Sequence, residues 1–233
     1  MAGEQAMERV GIEAGGSPLA ANTERISVGG ITATFAAGRP EALTALLGED
    51  AIRRMHRLRY EAFHHRLGWI AADAFQEDRD AYDDLPPWYG LCLLDDGFVA
   101  GTWRILPTLG PNMLADLFPF LLHGAPAPAE ASTWEISRFA LSMERGGAVT
   151  LAAAAVLLRG LFRHGRRAGI KRFAACSDTR FQRILERAGV RLDLFGPAVA
   201  IGATEAVAGY ADVDSQAERL IGMEWAVRGR AAA

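Results

Sequence analysis

Residues 133–142 read TWEISRFALS, an apolar run broken by a carboxylate at Glu135 and a guanidinium at Arg138. Successive side chains of a β-strand point to opposite faces, so residues three apart belong on different sides of the sheet. The two charges can share one site only if a bulge inserts an extra residue between them. Otherwise one of them lies beneath a helix. Thirty residues earlier Arg104 sits in the apolar stretch FVAGTWRIL (98–106). A buried charge left unpaired costs several kcal/mol, so three charges on central strands ask for more than packing.

Working outward from this strand, RISVGGITATFAAG (25–38) alternates β-branched and small residues and opens a sheet. Residues 40–66 turn helical, with Leu43, Leu46, Leu47, Ile52, Met55, Leu58 and Phe63 in an uneven stripe that Gly48 divides. WYGLCLL (88–94) and 98–106 flank DDG and make a hairpin. Residues 112–122 form a short amphipathic helix interrupted at Pro119. Residues 147–168 are the clearest helix, with Leu151, Ala154, Ala155, Leu158, Leu161 and Phe162 on one stripe. A strand follows at 170–176, then a helix at 178–189 with Asp178 as N-cap and Gly189 as stop. Residues 190–196 and 198–207 complete the sheet, and 214–227 make a final helix. The fold class is α/β, a mixed sheet covered by helices. Residues 1–24, rich in Gly, Ala and Glu without periodicity, read as a disordered leader to a single domain at 25–233.

The chain of 233 residues carries a formal net charge of −3, which argues against a general affinity for nucleic acid. Cys92 and Cys176 sit in apolar runs and read as buried reduced thiols. The five histidines form no metal-ligand spacing, so no metal is expected. The apolar stretch 148–158 is too short to span a bilayer and no signal peptide is visible, which points to the cytoplasm and away from a membrane.

Three clusters stand out. Arg59 and Phe63 lie one helical turn apart, with Trp69 just beyond, which suits a ligand pocket as well as an ordinary surface helix. The loop 73–88 crowds Asp73, Glu77, Asp78, Asp80, Asp83 and Asp84 around Arg79. Such carboxylates persist when solvated, paired with bases or facing a cation. From Arg145 to Ser177 there is no acid, while Arg159, Arg163, Arg166, Arg167, Lys171 and Arg172 are basic.

In this order the segments resemble the LuxI-type acyl-homoserine lactone synthases, the autoinducer synthases of bacterial quorum sensing. The family's Arg, Phe and Trp are matched by Arg59, Phe63 and Trp69, and its acidic segment by Asp78, Asp80, Tyr82 and Asp83. RILPT, Met113–Leu114, Phe118 and EISRF follow in place, and the helix near 182–189 extends the likeness. Asp78 stands where the family often has Glu, and the leader is longer than usual. The resemblance implies a twisted mixed sheet similar to GCN5-type N-acetyltransferases, with a splayed centre and a bulged central strand.

It also implies an activity. S-adenosylmethionine, a substrate rather than a cofactor, is acylated on its amine by a thioester. Its carboxylate then closes a lactone and expels methylthioadenosine. An α-amine has a pKa near about 8, so a base must take its proton. Glu135 is the expected base, through water, with Asp80 or Asp83 the second choice for holding the amine. Arg138 joins Glu135 and Asp80 in the catalytic set. Arg59, Phe63, Trp69, Asp83 and Arg104 are the expected substrate binders, of types suited to a carboxylate, an adenine and a sulfonium. Met113, Phe118, Leu141 and Ser177 would wall the acyl pocket. Arg183 and Arg187 match positions that meet acyl carrier protein, an acidic partner, though acyl-CoA would suit a basic face equally. A plain acyl-CoA-dependent N-acyltransferase is the alternative, but SMERGGAV (142–149) lacks its full glycine pattern. A non-catalytic sensor would be favoured by a broken charged set, and here the set is intact.

Overall fold

A computed structural model describes residues 21–187 and 189–221. The expected helix at 214–227 is seen as far as residue 221, and its remainder lies outside the described residues, as do residues 1–20. Strand β1 (Asn22–Val28) turns at Gly29–Gly30 into β2 (Ile31–Gly38). The domain therefore starts earlier than residue 25. Asn22 to Glu24, read as leader, pair with β2, and Glu24 also binds Arg163.

Helix α1 (Pro40–Leu47) and helix α2 (Glu49–Tyr60) meet at Gly48, whose φ of 82° is open to glycine but strained for other residues. A π-helical turn at Glu61–Arg66 prolongs α2, which the apolar spacing did not announce. A 3-10 turn (Ala81–Asp83) precedes β3 (Trp88–Leu94) and β4 (Val99–Pro107). Then come the short α3 (Met113–Asp116), a 3-10 turn at Pro119–Leu122 and β5 (Thr133–Leu141). The second half holds α4 (Gly147–Arg167), β6 (Arg172–Asp178), α5 (Thr179–Arg187), β7 (Asp193–Leu194), β8 (Val199–Ile201), β9 (Thr204–Asp212) and α6 (Val213–Ile221).

The strands run in the order β1-β2-β3-β4-β5-β6-β9-β7, with β8 on β9. Neighbours are antiparallel except β5 and β6. That parallel pair is brief, from Thr133↔Arg172 to Ile136↔Ala175, although both strands run on. Beyond Ile136 the sheet splays, and the gap positions the site.

One face of the sheet is covered by α4, which buries Leu157, Leu158, Leu161 and Phe162 against Phe35, Trp103 and Phe173. Trp103 is wholly buried, fits because Gly90 opposite has no side chain, and donates its indole N–H to the Leu157 carbonyl at 3.1 Å. The apolar run at 148–158 thus belongs to a 21-residue helix, long and apolar enough to cross a membrane by length and composition, with 61% of its most apolar window buried in the protein. Leu151, placed on the buried stripe by its spacing, is 44% exposed, while its neighbours Thr150 and Ala152 are buried. The opposite face holds α1 and α2, where Leu43 and Met55 pack on Leu91 and Tyr89.

Candidate active site

The bulge that the two charges of β5 require is present. Thr102 pairs with Ala140 and Arg104 with Ser137, so Trp103 alone stands opposite both Arg138 and Phe139. Arg138 takes the left-handed conformation, φ 52°, unusual for a side chain of its size. The bulge turns its guanidinium toward the face that carries Glu135.

Arg138 joins a network of three guanidiniums and three carboxylates. Arg59, on α2, donates from Nε to Asp78 at 3.0 Å and grips both oxygens of Asp83 at 2.9 and 2.8 Å. Arg104 reaches Asp80 and Asp83, each at 2.6 Å, and Ser137 Oγ at 3.0 Å. Arg138 lies 2.8 Å from Asp78 and 2.9 Å from Asp80. Tyr89 adds a hydroxyl donor to Asp83 at 2.6 Å. The acidic loop is shaped to deliver these oxygens. Asp80 caps its 3-10 turn by accepting from Tyr82 N–H, and Asp83 accepts from Asp80 N–H in return.

The balance of burial and pairing sets the charges. Burial alone would raise the Asp83 carboxyl, but Arg59, Arg104 and Tyr89 hold it well below the usual range. Asp80 is lowered in the same way, burial being outweighed by Arg104 and Arg138. Burial would lower Arg59, and Asp78 and Asp83 overcome it, so its pKa is raised. For Arg138 burial prevails over Asp78, and its pKa is lowered.

Glu135 differs from these aspartates. It is 2% exposed and accepts hydrogen bonds from the backbone N–H groups of Met113 and Leu114 at 3.0 and 2.5 Å, at the start of α3. Burial pushes its carboxyl up to about 7, although those two donors and Arg104 pull it down. A carboxyl poised there can exchange a proton near neutrality.

A cavity of about 320 Å³ occupies the splay between β5 and β6. Of the expected residues, Glu135, Arg138, Phe63, Trp69, Met113, Phe118, Leu141 and Ser177 all line it. Phe63 sits under the Arg138 guanidinium at 4.9 Å, and Trp69 lies 6.4 Å from Phe63 and 6.0 Å from Phe118, ring to ring. The Trp69 indole N–H is held by Thr204 of β9 at 2.8 Å, so the aromatic wall bridges the splay.

Arg59, Asp83 and Arg104, expected to bind substrate, are not among the residues that line the cavity. Their side chains are 0–1% exposed and bound to one another, because unpaired charges there would be prohibitive. Asp80 retains a side chain 20% exposed. Sequence reasoning gave no role of their own to Asp78, the partner shared by Arg59 and Arg138, or to Tyr89. It also missed Phe139 and Phe181, which meet at 5.1 Å across the cleft. Cys92 is buried and free, whereas Cys176 is partly buried and lines the cavity.

Arg183 and Arg187 are exposed on α5, whose inner face supplies Phe181, Ile184 and Leu185 to the cavity. Much of the long basic run is paired with acids. Arg163 pairs with Glu24, Arg166 and Lys171 with Asp214, and Arg172 with Glu130. These acids lie far away in sequence, so a scan of the local charge could not reveal them.

The family model described as autoinducer synthase matches residues 44–221. An acyl-homoserine-lactone synthase of Pseudomonas aeruginosa is 36% identical over 173 residues, 73% of this chain and 84% of its own. The crystal structure of the AHL synthase LasI superposes with a TM-score of 0.72 at 31% identity, over 90% of this chain and all of its own. The CoA-dependent acyl-homoserine lactone synthase BjaI, solved with MTA, gives 0.65 at 25% identity, over 76% of this chain and 83% of its own.

Proposed function

This chain belongs to the autoinducer synthase family and is an acyl-homoserine-lactone synthase; on that premise we propose how its residues share the reaction. Its substrates are S-adenosylmethionine and an acyl thioester, and it acts in the cytoplasm, where both are made. Glu135, through a water, takes the proton from the methionine amine as that amine attacks the thioester carbonyl. Its carboxyl near neutrality is matched to an α-amine that is mostly protonated at neutral pH. Asp80, whose carboxylate is 20% exposed beside Arg138, holds the ammonium before transfer.

Arg138, set at the cleft by the bulge, is the cation for the substrate carboxylate, while Phe63 and Trp69 offer ring faces to the sulfonium and adenine. The buried Arg59, Asp83 and Arg104 keep that set in register. In the second step the methionine carboxylate attacks its own γ-carbon, forming the lactone C–O bond as the C–S bond to methylthioadenosine breaks. The protein's part is to fold the substrate so the two atoms meet. Met113, Phe118, Leu141 and Ser177 wall the acyl group. Arg183 and Arg187 steer an acidic carrier, acyl carrier protein, to the mouth, and the phosphates of acyl-CoA would meet the same arginines.

The observation that carries this reading is a buried carboxyl, Glu135, held by two backbone N–H groups at the head of a splayed cleft, beside a network of paired arginines and aspartates. The test is direct. Pure protein incubated with S-adenosylmethionine and a panel of acyl thioesters is expected to give acyl-homoserine lactone and methylthioadenosine by mass spectrometry. Failure to release methylthioadenosine with any donor would remove the synthase reading.

A further inference from the structure

The cavity does not stay on one side of the sheet. Glu135 and Ala174 face the side of α3, where Leu114, Ala174, Trp69 and Phe118 cluster. Ile136 and Ala175, the next pair along, point the other way into the core beneath α4. Residues from both clusters line the one cavity. Since β5 and β6 stop pairing at Ile136↔Ala175, the cavity passes through the sheet just beyond their last rung.

The two ends differ in chemistry. The near end holds Glu135, Ser137 and Arg138. The far end is walled by Leu161, Phe162, Leu185, Val190, Leu192 and Ala211, all apolar. The hydroxyls nearer the mouth are already engaged. Thr150 donates to the Ser142 carbonyl at 2.7 Å and Ser177 to the Asp178 carbonyl at 3.1 Å. Thr150 and Phe162 of α4 both line the space, a wall twelve residues long, about 18 Å at the helical rise. Small side chains keep it open: Ala175 stands at the neck and Ala211 at the deep end.

We infer that this synthase is selective for a long, straight acyl chain, octanoyl or longer, whose tail threads the sheet beside Ala175 and rests in the apolar chamber closed by Phe162, Val190 and Ala211. The inference rests on the lactone-synthase reading and specifies its acyl substrate. Each methylene drawn into such a chamber gains the free energy of leaving water, about fourfold in kcat/KM. A short chain leaves the chamber unfilled and forgoes that gain.

The experiment uses the full chain with S-acyl pantetheines from butanoyl to dodecanoyl, reading both lactone formation and binding by calorimetry. For the wild-type protein, kcat/KM is expected to climb about fourfold per methylene up to decanoyl. Ala211→Leu fills the deep end and is expected to cut decanoyl transfer by about tenfold or more, leaving butanoyl transfer within about twofold. Val190→Phe narrows the same chamber from another segment and serves if Ala211→Leu does not fold. Lactone formation with no dependence on chain length, or equal losses at every length in the variants, would overturn the inference while leaving the synthase reading intact. Binding that tightens with chain length without any lactone would do the opposite.

Discussion

Around the site the two faces of the sheet rely on different contacts. On the side of α2, Arg59, Arg104 and Arg138 interlock with Asp78, Asp80 and Asp83, each contact directional and a few tenths of an ångström from its optimum. On the side of α4, Leu157, Leu161, Phe162 and Phe173 are almost wholly buried and held by non-directional apolar packing. Apolar packing supplies stability, since removing hydrocarbon from water is favourable wherever it lands. The ion network pays for its desolvation with pairing and returns little net stability, but it fixes orientation. A site that must present Glu135 beside Arg138 needs the second property, and a chamber for an acyl chain needs the first.

The sharpest way to break this comparison is at the group that belongs to neither set. Glu135→Gln is expected to lower turnover by about 10²–10⁴-fold, the usual worth of a general base, with folded structure retained by circular dichroism. Wild-type turnover would move the base to Asp80. The same group sets the pH profile: kcat/KM is expected to fall about tenfold per unit on the acid side of a pKa of about 7. Its stability term has a definite sign. The folded pKa lies above the reference value of 4.5, so the folded chain binds more protons between those values, and this contribution declines as pH rises through that window.

Next, Asp83→Asn removes one carboxylate from between Arg59 and Arg104 and is expected to cost about 3–5 kcal/mol in denaturant unfolding at neutral pH. Because the folded pKa of Asp83 is depressed, its contribution is complete above the unfolded value and lost as pH falls toward the folded one. The gap between wild type and variant should therefore narrow below a pH of about 4. A gap that stayed constant into acid would mean that Asp83 acts by shape, not charge. On the other face, Leu157→Ala should cost about 2–5 kcal/mol by opening a cavity, with no dependence on pH across the same range. The smallest effect belongs to the surface. Arg183→Ala with Arg187→Ala should raise KM for acyl carrier protein several-fold, an effect that fades with added salt, and leave kcat unchanged. Insensitivity to both substitutions would move the carrier to another face.

Element types were legible along most of the chain because apolar spacing and Gly, Pro and Asp punctuation are local signals. Asp178 caps α5 with its side chain, accepting from Arg180 and Phe181 N–H groups, as its position before that helix implied. Gly48 and Pro119 divide helices where expected. The π-turn at Glu61–Arg66 left no such mark, since it is the packing of Phe63 and Trp69 around the cleft that accompanies it and not a residue type. Expected site residues divided by burial. Glu135, Arg138, Phe63 and Trp69 line the cleft, whereas Arg59, Asp83 and Arg104 are buried in ion pairs, because sequence shows which charges exist but not which partners satisfy them.

The sequence by itself determined the supply: a carboxylate and a guanidinium three apart on a central strand, an acidic loop between a helix and a strand and the order of segments that marks the family. Only the tertiary structure decided the pairing. It took the left-handed backbone at Arg138 to bring that side chain round to Asp78 and Asp80, and residues as distant as Glu24 and Asp214 to neutralise the basic run. The reason is physical. Hydrophobic periodicity is written along the chain, but electrostatic energy depends on distance through space, which folding alone sets.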